Sequence, residues 1–123
     1  QRLRLMITSH LDDGEFARLL YAKVETLIGG MFAASLERAI AAGDASRVGS
    51  DPINLFWFAH HTVLSAAMTR LPRTPCLAYG NTNGLERQLC EFLLRGIGFS
   101  EAAITSHLGI VPEPRLPAIA ESA

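Results

Sequence analysis

The sequence predicts an all-α fold, an antiparallel helical bundle of about five helices. Three observations carry this. Residues 14–42 repeat apolar side chains at helical spacing over an unusually long run. Residues 51–72 form a second segment, framed by Asp51-Pro52 and Leu71-Pro72, that is apolar or small on nearly every side. A third stripe, Leu85, Leu89, Phe92 and Leu93, leads to Gly96-Ile97-Gly98. No stretch alternates with the two-residue period of a half-buried strand.

The first helix covers residues 2–10, with Leu3, Met6, Ile7 and then Leu11 on one side; Asp12-Asp13-Gly14 breaks it and offers an acidic cap to the next. The long helix keeps Phe16, Leu19, Leu20, Val24, Leu27, Ile28, Met31, Phe32, Leu36 and Ile40 on one broad face, with Glu15, Arg18, Glu25, Glu37 and Arg38 on the other. At 1.5 Å per residue it would run roughly 40 Å. Gly43 ends it as a C′ glycine. Gly29-Gly30 in its middle costs about 1 kcal/mol of propensity per residue, which suits close approach by a crossing helix, a kink or a hinge.

The central helix has an acceptor, Asp51, at its N-cap and Pro52 at its first position, where no amide donor is missed. Pro72 stops it, because the residue before a proline is pushed out of helical geometry. A helix apolar all round is buried all round. A chain of 123 residues supplies few neighbours for such a helix, so a second copy is expected to cover part of it. Residues 72–82 carry prolines and a glycine and read as a loop. Asn83 and Glu86 have capping-box spacing for the next helix. Ser100 caps a short last helix to about His107, stopped by Gly109. The domain is expected to span 1–111, followed by a flexible Pro-rich tail over 112–123.

The bulk properties narrow the function. Counting glycine and leaving out tyrosine, roughly 55% of the chain is apolar, against about 45–50% in ordinary domains. That excess favours an interface or a lined cavity. With 11 basic and 12 acidic residues and no basic stripe, the chain is not expected to bind nucleic acid by itself. Cys76 and Cys90 read as free thiols, and neither a signal peptide nor a membrane-spanning segment is expected, so the compartment reads as cytoplasmic. No Gly-rich phosphate loop, HExxH or paired carboxylate occurs, and Ser65 lies mid-helix; the chain is not read as an enzyme and needs no cofactor. His60 and His61 diverge by about 100° on a helix and cannot share a metal, so no metal site is expected.

The order of signals is that of a known family. A long helix ends in LERAIAAGDASR, with Gly43 past its end. An Asp51-Pro52 start opens a second helix. A Pro-rich gap leads to LERQLCEFLLRGIG, whose Leu93-Leu94-Arg95-Gly96-Ile97 closes the pattern. Over roughly Leu3 to Gly98 this resembles the C-terminal effector-binding and dimerisation domain of tetracycline-repressor-like (TetR-family) transcriptional regulators. The resemblance implies a homodimer through a four-helix bundle built from residues 52–70 and 83–98 of each copy. It implies a small apolar effector held among the helices, whose binding moves an N-terminal helix-turn-helix domain off DNA. No such motif precedes the long helix here, so DNA would be reached only through that missing domain.

Two residue sets follow. The ligand set, between the long and central helices, is Phe16, Leu20, Tyr21, Met31, Trp57, His61 and Met68: bulky or adaptable side chains with a few polar tips. The dimer set is Phe56, Leu85, Leu89, Phe92 and Leu93. The alternative is a helical dimerisation or scaffold module without a ligand. A cavity with convergent polar groups separates the first from the second.

Overall fold

The computed structural model describes residues 1–109, and these are all-helical, with no strand among them. Helix α1 is Arg2–Leu11, α2 Glu15–Val24, α3 Gly30–Ala41, α4 Pro52–Met68, α5 Leu85–Ile97 and α6 Glu101–Leu108. A single π-helical turn, Glu25–Gly29, joins α2 to α3, so the two form one continuous helix from Glu15 to Ala41. The residues from Ile110 onward, which include the tail expected at 112–123 and the domain end at 111, lie outside the described residues.

The turn between α1 and α2 is a packed corner. The Asp13 carboxylate accepts the Glu15 amide at 2.9 Å, and Gly14 adopts φ 72. Ser9, itself buried, accepts the Ala17 amide at 3.1 Å, while Met6 and Ala17 close the contact between the helices. At the far end of α1, Arg4 donates to the Leu71 carbonyl at 2.7 Å and ties this hairpin to the exit of α4.

The long helix and α4 run antiparallel. Leu36 and Leu55 share a core cluster, the Phe32 and Phe56 rings lie 5.6 Å apart, and Tyr21 meets Trp57 and His60 further along. Gly29 sits at their crossing: a Cβ there would come within 3.3 Å of the Ile53 side chain and 3.2 Å of the Glu25 side chain. The pair of glycines thus divides its work, since Gly30 faces open space. The π turn falls at this crossing, where the widened backbone accommodates the approach of α4.

At one end the chain closes on itself. The long helix finishes in a Schellman arrangement, with Gly43 at φ 81 and the Asp44 amide on the Ala39 carbonyl. Helix α5 ends the same way at Gly98, with the Phe99 amide on the Leu94 carbonyl. The two exits then clasp: Ser46 donates to Gly98 and Ser100 to Asp44, each at 2.8 Å. Under this clasp lie Leu36, Ala45, Leu55 and Ile97, with Phe32, Ile40 and Phe99 packed around them. Asp51 caps α4 through the Ile53 amide at 2.9 Å, and Ser100 caps α6 through the Ala103 amide at 3.1 Å.

One local expectation is corrected. The cap of α5 is Gly84 at φ 70, not Asn83; Asn83 instead gives its amide to the Asn81 side chain at 3.0 Å, so the capping box does not form. The continuous helix Glu15–Ala41, 27 residues long, reaches a mean hydropathy of 1.3 over an 18-residue window. By length and composition alone that is enough to cross a membrane, a test that the core helix of a soluble protein also passes.

Candidate functional site

Side chains from α1, α2 and α4 meet in a seam of rings. Tyr21 is at its centre, with ring centroids 5.2 Å from His10, 5.1 Å from Trp57 and 5.7 Å from both His60 and His61. Helical spacing explains the gathering. Trp57 and His61 are one turn apart on α4, and His60 falls three residues from Trp57, so all three reach one side. Phe56 extends the seam toward Phe32.

The polar atoms of the seam are mostly satisfied. His10 Nε2 and the Tyr21 hydroxyl are 2.7 Å apart. The Trp57 indole donates to Glu25 at 2.9 Å, which anchors α4 to the π turn. His61 Nδ1 lies 2.8 Å from the Trp57 carbonyl; a carbonyl only accepts, so this nitrogen carries a proton. The exception is His60 Nδ1, buried with no hydrogen-bond partner. Burial, and secondarily the adjacent His61, hold the His60 ring below the ordinary imidazole pKa. Burial raises the Tyr21 phenol above its ordinary value.

Ligand-sized space lies further around α4, with His61 bordering both the seam and this space. An open groove between α4, α5 and the loop before α5 is lined by Phe58, His61, Thr62, Ser65, Tyr79 and Leu89, with a volume of about 670 Å³. It continues into a recess of about 180 Å³ beside Leu55, Phe92, Leu93 and Gly96, and into one of about 340 Å³ beside Val63, Leu85 and Leu89. The rims are apolar and uncovered: Phe58 is 66% exposed and Phe92 62%.

The residues singled out from sequence divide between these places. Tyr21, Trp57 and His61 come together in the seam. Phe16 and Met31 are exposed on the long helix, Met68 is exposed in the last turn of α4, and Leu20 is half-buried outside the ring cluster, so the seven-residue ligand set is not one site. Leu85, Leu89 and Leu93 are half-buried along the groove with Phe92 at its rim. Phe56, placed in the dimer set, packs within the chain against Phe32 and Trp57. Two residues further, about 200° around the helix, Phe58 holds the outward position instead. Sequence reasoning passed over His10, Glu25 and His60 as seam partners. The signal available for His60 was its three-residue spacing from Trp57.

Comparison with protein families, with characterised proteins and with solved structures gives no match to this chain.

Proposed function

We propose that this chain is the effector-sensing and dimerisation domain of a TetR-like transcriptional regulator, paired as a twofold homodimer through α4 and α5. The observation that carries the reading is the uncovered apolar face of those two helices, Phe58 and Val63 on α4 and Phe92 on α5, beside an open groove. Contiguous apolar surface of this kind marks interaction sites. Obligate interfaces commonly bury upward of about 2,000 Å². A second α4–α5 pair laid on the first would make the four-helix arrangement that the sequence layout suggests. On this reading the effector is a small apolar molecule and DNA is engaged through a separate N-terminal domain.

The filled seam favours a second reading, a helical dimerisation module without an effector, because Tyr21, Trp57 and the histidines already occupy the space between the long helix and α4. A thermal-shift screen of apolar small molecules, read through Trp57 emission, separates the two. A ligand at a hundredfold excess over its Kd stabilises the folded state by about 2.7 kcal/mol. The sensor reading expects at least one such stabiliser that also changes Trp57 emission; a dimer that nothing in a broad screen stabilises is the ligand-free module.

A further inference from the structure

We propose that the ring seam is a pH-sensitive latch, in which protonation of His60 loosens the α1–α2 hairpin from α4. This stands apart from the proposed regulatory function and rests on the seam alone. Three imidazoles surround one phenol where three helices meet. His60 is the one that packs against Tyr21, Phe56, Trp57 and His61 together. Its Nδ1 has no partner, so the neutral ring keeps its proton on Nε2 and leaves only a lone pair unmet. A second proton would have to sit on Nδ1, as a buried donor of a charged ring with no acceptor in reach. Such a charge is disfavoured where the atom that carries it is shut away from water.

The titratable groups around the ring do not relieve it. From α1 comes His10, whose Nε2 is engaged with the Tyr21 hydroxyl. From α2 comes Tyr21, neutral and pushed further from ionisation by burial. From the π turn comes Glu25, whose carboxylate is held by the Trp57 indole. From α4 itself comes His61, which lowers the His60 pKa further when charged. The latch is therefore closed when His60 is neutral. Because the folded-state pKa lies below the ordinary 6.5, the unfolded or undocked chain takes the proton first. The stability of the docked seam is full above that ordinary value and is lost as pH falls from it toward the folded pKa. Imidazole is the side chain whose ordinary titration range allows this in mildly acidic conditions.

The test follows Trp57 emission and the thermal midpoint of the wild-type chain from about pH 7.5 to about pH 5, beside His60→Phe. Trp57 is the sole tryptophan, so the emission reports the seam. The expected result is a fall of several degrees in the midpoint with a change in emission on acidification. In His60→Phe, which keeps the ring packing and loses no hydrogen bond, that response is reduced by at least half. A response of undiminished size in His60→Phe would overturn the proposal. So that a poorly folding variant leaves the question decidable, the His60 ring proton is also titrated by NMR in the wild type. A midpoint below the ordinary imidazole value is expected; one at or above it contradicts the latch.

Discussion

The two ends of α4 live in different surroundings. Around its first turns the chain is closed: Leu36, Leu55 and Ile97 are buried, and the exits of the long helix and of α5 hydrogen-bond to each other across Ser46–Gly98 and Asp44–Ser100. Around its later turns the same helix is open, with Val63 47% exposed and the groove toward α5 and Tyr79 unfilled. Both ends carry large apolar side chains, although the later turns also hold His60, His61, Thr62 and Ser65. The difference is that one is covered by the chain's own turns and the other has no element among the described residues to cover it. A helix apolar all round but buried on only part of its surface leaves an apolar face of the kind that marks interaction sites.

The largest effect is expected at the closed end. Leu55→Ala removes a buried side chain from the centre of the cluster and should cost about 2–5 kcal/mol in urea unfolding. A loss under about 1 kcal/mol would mean that the end collapses around the gap and is less tightly packed than described. Next comes the open end, where the effect should be on association and not on folding. Phe92 is mostly exposed in the single chain, so Phe92→Asp should leave helicity intact while weakening self-association at least about a hundredfold. Retained helicity with an unchanged dimer would place the interface elsewhere.

The clasp is tested by Gly98→Ala. Gly98 holds φ 112, and an added Cβ would collide with the Ser46 carbonyl oxygen, so either the turn or the clasp must shift. A loss of at least about 1 kcal/mol is expected, well beyond an ordinary glycine-to-alanine change on a helix. Asp51→Ala, which removes one side-chain acceptor at the N-cap of α4, should cost about 1 kcal/mol. The smallest effect is expected at Arg47, whose guanidinium pairs in two places with Glu37 on the surface; Arg47→Ala should leave the unfolding midpoint within error.

How much of this was legible depended on whether a residue's role is local. Asp51-Pro52, Gly43 and Ser100 act within a few residues of themselves, and each stands where its local chemistry places it. The Gly84 cap competed with a plausible Asn83 and won because a left-handed residue at that position turns the loop directly into α5. The seam was half legible. Tyr21, Trp57 and His61 could be named from their chemistry, but the choice between His60 and His61 depends on which way α4 is rotated, and an all-round apolar helix carries no stripe that settles it. The same ambiguity hid that Phe56 faces the long helix while Phe58 faces outward. Phe16 and Met31 lie on a helix whose apolar face is wider than one neighbour can cover, so spacing alone could not tell the covered edge from the exposed one.

Sedimentation of the chain tests the central claim most directly, because the open end of α4 and the rim of α5 either find a second copy or do not. At micromolar concentration the account predicts a particle of twice the 13.3 kDa chain mass, converted to the single chain by Phe92→Asp. A wild-type chain that sediments as a folded 13.3 kDa monomer at that concentration would contradict it.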